Sequence, residues 1–104
     1  MSERYRINIT PFAAANLEDI HKYIGKDSPQ NAAGMATAII DAIDRLESLP
    51  HRYPVDKGRR QPSETVRRMV VQPFLIYYRV NNKNRKVDVV TILHGKQKQP
   101  RHFK

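Results

Sequence analysis

Cysteine is absent from the 104 residues. That excludes a disulfide framework, a thiolate metal site and a thiol nucleophile, and it fits a reducing compartment. Long apolar runs are missing too: the uninterrupted stretches are a few residues, far below the roughly 20 that a membrane-spanning helix needs. Met1-Ser2-Glu3-Arg4 leads straight into an alternating pattern with no apolar signal core, so a cytoplasmic location without membrane attachment is expected. The four glycines do not cluster, which leaves no phosphate-cradling loop. His21, His51, His94 and His102 are dispersed without paired ligand spacing, so neither a metal nor a cofactor is expected.

Acidic residues are scarce in one half only. Residues 1–58 carry seven Lys and Arg against eight Asp and Glu, whereas residues 59–104 carry twelve against two, Glu64 and Asp88. The net charge of +9 is therefore concentrated in the second half. A one-sided cationic field attracts polyanions: nucleic acid, an enzyme that works on it, or an acidic protein. With 39% apolar and 28% charged residues and no repeat or linker, the chain reads as one folded domain over residues 1–104, of which 95–104 form a basic tail.

Within residues 4–9, Tyr5, Ile7 and Ile9 alternate with Arg4, Arg6 and Asn8, the period of a half-buried strand. Thr10-Pro11 then supplies a capping hydroxyl and a proline whose missing N–H is harmless at a helix start. Ala13, Leu17, Ile20 and Ile24 line one face of that helix, and Gly25 marks its end. Ser28-Pro29 repeats the start signal for a second helix with Ala32, Met35, Ala36, Ile39, Ile43 and Leu46 on one face, stopped by Pro50. So short a connection makes an antiparallel hairpin, and Ala32, Ala33, Gly34, Ala36 and Ala38 are small enough for close packing.

Residues 50–65, with Pro50, Pro54, Pro62 and Gly58, read as a loop carrying Lys57, Arg59 and Arg60. Strand-like runs follow at 66–72, 74–80 and 87–93, and their short turns require an antiparallel meander. The expected fold is α+β in the order β-α-α-β-β-β: a helix hairpin packed on a small antiparallel sheet, with the first strand at an edge or beside the last. In the middle run, Ile76, Tyr78 and Val80 are expected under the helices, with Leu75, Tyr77 and Arg79 facing away. The last run is apolar on both sides and is expected to be central. Tyr5 and Tyr23 are expected at the core edge.

Four stretches carry more than secondary structure. Residues 13–24 read Ala-Ala-Ala-Asn-Leu-Glu-Asp-Ile-His-Lys-Tyr-Ile, and residues 39–50 read Ile-Ile-Asp-Ala-Ile-Asp-Arg-Leu-Glu-Ser-Leu-Pro. Val-Arg-Arg-Met-Val-Val at 66–71 is followed by Leu-Ile-Tyr-Tyr-Arg-Val at 75–80, and residues 87–95 run Val-Asp-Val-Val-Thr-Ile-Leu-His-Gly. In this order and spacing they resemble the first helix, the end of the second helix, the central hairpin and the last strand of the RelE/ParE toxin family of type II toxin–antitoxin systems. The resemblance covers nearly the whole chain and implies one of two mechanisms. ParE-like members bind DNA gyrase and trap it on cleaved DNA. RelE-like members are ribosome-dependent mRNA endonucleases, in which Lys and Arg hold phosphate while Tyr, His or Glu move protons. Both kinds are held inactive by a cognate antitoxin whose C-terminal segment, acidic or amphipathic, folds across the toxin.

RNA cleavage requires a group to take the 2′-hydroxyl proton, cations to stabilise the phosphorane and a group to protonate the leaving oxygen. The candidates for those roles are His94, where the last strand ends, Glu64 as the one carboxylate near the basic hairpin, and Arg67 and Arg79 as phosphate-holding cations. The candidate binding set, for antitoxin or target, is Arg59, Arg60, Arg68, Tyr77, Arg79, Lys96 and Lys98, with Tyr77 beside Arg79 as a stacking plane next to a clamp. The acid–base set is incomplete and the tail is basic rather than tyrosine-bearing, which favours the gyrase-binding mechanism over cleavage. A third reading, a non-toxic basic nucleic-acid-binding module, lacks the aromatic-rich strand pair flanking a glycine turn of RNA-recognition folds.

Overall fold

The computed structural model describes residues 4–55 and 66–95. The elements follow the expected order: β1 (Arg6–Ile9), α1 (Pro11–Gly25), α2 (Pro29–Asp44), β2 (Val66–Val71), β3 (Phe74–Asn81) and β4 (Lys86–His94). Both helices start where their caps dictate. Thr10 Oγ1 accepts the Ala13 N–H and Ser28 Oγ accepts the Asn31 N–H, each at 3.2 Å, with proline in the first turn. α2 is shorter than its apolar stripe. After Asp44 the chain tightens into a 3-10 turn, Arg45–Glu47, which buries Leu46 completely before Pro50 is reached. Of the small residues in α2, Ala32 is buried and Ala36 half-buried, whereas Ala33, Gly34 and Ala38 lie on the exposed side.

The four strands form one sheet in the order β1-β4-β3-β2. β2, β3 and β4 are the antiparallel meander, and β4 is central as its two-sided apolar pattern implied. The sheet as a whole is mixed, not antiparallel, because β1 runs parallel to β4 with Ile7 opposite Val87 and Ile9 opposite Val89. A two-residue turn forces its strands to be antiparallel, but β1 reaches β4 through two helices and a meander, so its direction is free.

Apolar side chains settle on both sides of the sheet. Under the helices, Ala13, Ile39, Ile43 and Leu46 pack against Met69, Phe74, Ile76, Tyr78, Val80, Val87, Val89 and Ile92. Ile76, Tyr78 and Val80 thus face the helices as expected. On the opposite side Val66, Tyr77, Val90 and Leu93 form a second buried cluster with Leu75 against it. Tyr5 does pack at the edge of the main core, but Tyr23 does not: it is 75% exposed, one helical position outside the stripe of Ile20 and Ile24. Among the described residues no helix is long and apolar enough to cross a membrane.

The helical layer is fastened to the sheet by polar bonds at two points of β4. Thr10 donates its N–H (3.1 Å) and its hydroxyl (2.8 Å) to the Val89 carbonyl. Beyond Val89, β1 has ended and turned into α1, so β4 loses its strand neighbour on that side. There Asn16, two turns into the helix, accepts the Ile92 N–H through Oδ1 at 3.1 Å. A buried donor left without an acceptor costs about 1–3 kcal/mol. Asn16→Ala is therefore expected to destabilise the fold by about 1–3 kcal/mol, read as a lower urea midpoint at an unchanged denaturant slope.

Candidate functional site

The pleat decides which candidate residues share a face. Directly paired residues on neighbouring strands point to the same side, so the register sorts them. Arg68 pairs with Tyr77, Val66 with Arg79 and Arg79 with Asp88. Arg68, Tyr77 and Arg79 therefore lie on the side away from the helices, with Arg68 and Arg79 diagonal neighbours across β2 and β3. Both arginines are half-buried along their stems. Asp88, the acid on that side, is held by Asn8 Nδ2 at 2.8 Å and Lys86 at 3.5 Å. Tyr77 offers no stacking plane: it is 0% exposed, packed among Val66, Val90 and Leu93. Its ring stiffens the surface between the two arginines.

Arg67 and His94 belong to the other side. Arg67 pairs with Tyr78, and its guanidinium turns toward the segment ahead of β2, donating to the Tyr53 carbonyl at 2.6 Å and the His51 carbonyl at 3.3 Å. Tyr78, 0% exposed, donates its hydroxyl to the Pro50 carbonyl at 2.8 Å. Burial pushes its pKa up to about 12, with the positive charge of Arg67 opposing that rise. The phenol is thus a neutral donor at physiological pH and no proton acceptor. Arg68 N–H to the Pro54 carbonyl (3.0 Å) and the bridge between Val55 and Arg67 complete the fastening. Arg67, expected to hold phosphate, is occupied as a structural clamp on residues 50–55.

His94 pairs with Phe74, and its ring stands edge-on to that of Phe74 at 5.4 Å and 83°. The two form one end of a cleft of about 730 Å³ lined by Asp19, Ile20, Tyr23 and Ile24 of α1, Met35 of α2, and Pro73. The residue after His94 closes this corner. Gly95 donates its N–H to the Pro73 carbonyl at 2.8 Å, and a Cβ there would sit 3.2 Å from the same oxygen. Close backbone approach is thus the physical reason for glycine after this histidine.

Sequence reasoning did not assemble this cleft. Its signal was the exposed ring of Tyr23 beside a half-buried pair of isoleucines, which was taken for core edge. Glu64, Arg59, Arg60, Lys96 and Lys98 lie outside the described residues. Among the described residues no group of three His, Cys, Asp or Glu is placed to hold a metal ion.

The sheet therefore divides the candidates. His94 sits on the helix side at the end of β4, while Arg68 and Arg79 present their charge on the opposite face. A proton-transfer group and a phosphate clamp must act on one ribose–phosphate unit, within hydrogen-bond reach of it. His94 and the arginine pair cannot do so across a sheet.

Residues 7–99 match the family described as the ParE toxin of the type II toxin–antitoxin system parDE. The Sinorhizobium fredii protein Y4kP, whose name marks it as a candidate toxin, is 34% identical over 99 residues, spanning 93% of this chain and 95% of its own. The fold is similar to that in the chromosomal ParDE toxin–antitoxin system of Pseudomonas aeruginosa, with TM-score 0.69 and 20% identity over 88% of this chain and 96% of that one. It is also similar to the archaeal RelE–RelB complex of Pyrococcus horikoshii, with TM-score 0.65 and 16% identity over 91% and 99%.

The clamp role of Arg67 separates two outcomes. Arg67→Ala is expected to lower stability by about 1.5–3 kcal/mol, the worth of a charged donor on buried carbonyls, with Arg67→Lys recovering part of it. Thermal melts of the three proteins read this directly. Unchanged melting with a selective loss of anion affinity would return Arg67 to the binding set.

Proposed function

This chain belongs to the ParE family of toxins of type II toxin–antitoxin systems, and from that premise we propose that it acts in the cytoplasm by binding DNA gyrase rather than by cutting RNA. The observation that carries this reading is the division of the candidate residues by the sheet. Among the described residues, the histidine offered as general acid or base and the arginines offered as phosphate clamps lie on opposite sides. The tyrosine beside Arg67 is a neutral donor to a carbonyl, and Tyr77 is enclosed. What remains on the outer face is a fixed pair of cations on an apolar base, Arg68 and Arg79 over Val66 and Tyr77. That is a surface for binding an acidic partner and supplies no proton-transfer chemistry.

A cognate antitoxin is the second partner. The solved relatives include toxin–antitoxin complexes, and this chain offers what a disordered, amphipathic segment needs in order to fold on binding. The cleft beside Tyr23 gives apolar burial, and the arginine pair gives charge pairing to an acidic stretch. Arg59, Arg60, Lys96 and Lys98 extend the cationic set offered to antitoxin or target.

Two experiments test the proposal. Purified chain added to gyrase and plasmid DNA is expected to abolish supercoiling and accumulate cleaved DNA, leaving ribosome-bound message intact. Messenger RNA cut within codons, with supercoiling unaffected, overturns it in favour of the endonuclease. Arg68→Glu combined with Arg79→Glu is expected to weaken antitoxin affinity by at least tenfold in low salt, with a smaller effect as ionic strength screens the pair. Equal affinity of the two proteins in low salt would remove these arginines from the interface.

A further inference from the structure

β1 is an edge strand whose outer side is open. Arg6 N–H donates to the Arg85 carbonyl at 2.9 Å and Thr10 N–H donates to Val89 at 3.1 Å, so alternate amides from Arg6 to Thr10 point at β4. Those of Tyr5, Ile7 and Ile9 point the other way. Tyr5 N–H is taken by the Glu47 carbonyl at 2.8 Å. Among the described residues no acceptor takes the Ile7 or Ile9 N–H. An open edge of this kind is a template for another strand unless the chain covers it.

Two further features flank the same edge. On the helix side an apolar groove of about 400 Å³ opens beside Ile9, walled by Ala14 and Leu17 of α1 and Ala36 of α2. Ile40, one helical turn beyond Ala36, is 40% exposed. On the other side of the sheet Arg6 is exposed and pairs across the ladder with Lys86. A strand added to β1 would place alternate side chains into an apolar groove and beside cations. The groove and the charge thus demand one pattern: apolar and acidic residues in strict alternation. A second copy of this chain does not meet it, because β1 against β1 would set Arg6 beside Arg6 between two molecules of net charge +9.

We infer that the outer edge of β1 receives an extended segment of the antitoxin, alternating apolar and acidic residues, which adds a fifth strand to the sheet. The inference rests on the reading of this chain as an antitoxin-controlled toxin, and it assigns the partner a second foothold distinct from the Tyr23 cleft and the Arg68–Arg79 pair. Main-chain bonds to Ile7 and Ile9 supply affinity, while the groove and Arg6 supply sequence preference.

Amide exchange reads this strand by strand. The probe is a capped peptide, Glu-Ile-Glu-Ile-Glu-Ile-Glu, with its lysine counterpart Lys-Ile-Lys-Ile-Lys-Ile-Lys as control. In the full chain with saturating acidic peptide, exchange of the Ile7 and Ile9 amides is expected to slow at least tenfold. Arg6 and Asn8, already bonded to β4, are expected not to change. Ala36→Glu and Arg6→Glu, both outside the buried core, are each expected to weaken the acidic peptide by at least tenfold while the amide spectrum stays folded. Protection at Val70 on the opposite edge instead, or equal affinity for the lysine peptide, overturns the assignment. The readout does not involve toxicity. A chain that arrests growth but shows no protection at Ile7 and Ile9 loses this docking edge and keeps the toxin reading. A growth-neutral chain with both amides protected does the reverse.

Discussion

The structure depends on how α1 is held to β4. Thr10 ends the first strand, caps the first helix and gives both its donors to Val89; Asn16 then satisfies the amide of Ile92. Apolar burial presses the helices onto the sheet but is indifferent to small sliding, because it has no direction. Two polar contacts at fixed points along one strand remove that freedom. The wall that α1 contributes to the Tyr23 cleft, and the wall it contributes to the groove beside Ile9, are therefore set relative to the strands they adjoin. Both concavities inherit their shape from the same pair of residues.

A second consequence is that the cations have unequal duties. Arg67 and Arg68 are adjacent in sequence, yet the pleat sends one inward to hold the Tyr53 and His51 carbonyls and the other outward. The charge of one half of the chain is thus only partly a binding surface; some of it is mortar. Burial of Tyr77 between Arg68 and Arg79 makes the outer pair rigid, and rigid cations lose less freedom when a partner arrives. The molecule joins a firm, charged outer face to open apolar concavities on the helix side.

Much of this was legible in the sequence, for local reasons. Hydroxyl–proline pairs at Thr10 and Ser28 fix both helix starts, three- and four-residue spacings fix their buried faces, and short turns fix the meander. The parallel pairing of β1 with β4 was not legible, since nothing local ties Asn8 to a partner 80 residues away. Nor was the side taken by His94. β3 and β4 shift register between Tyr77 and Tyr78, leaving Val90 as an extra residue in β4, and a bulge reverses the alternation for everything after it. Val87 and Val89 face the helices at odd positions, Ile92 and His94 at even ones. Simple alternation would have put His94 with the arginines. The strand of Arg67 and Arg68 is apolar on both sides, so its phase could not be read either.

The long reach from β1 to β4 also bears on when the domain comes into being. The helices and the first strand are made early, but the strand that Thr10 and Asn16 grasp is the last of the four to be synthesised. Until it emerges, the hairpin has no platform and the edge strand has no neighbour, and contacts separated by most of the chain form slowly. A ribosome carrying this product therefore holds an unfinished, harmless polypeptide for nearly the whole of translation. Activity arrives in one late event, which gives a co-produced guardian time to be present when it does.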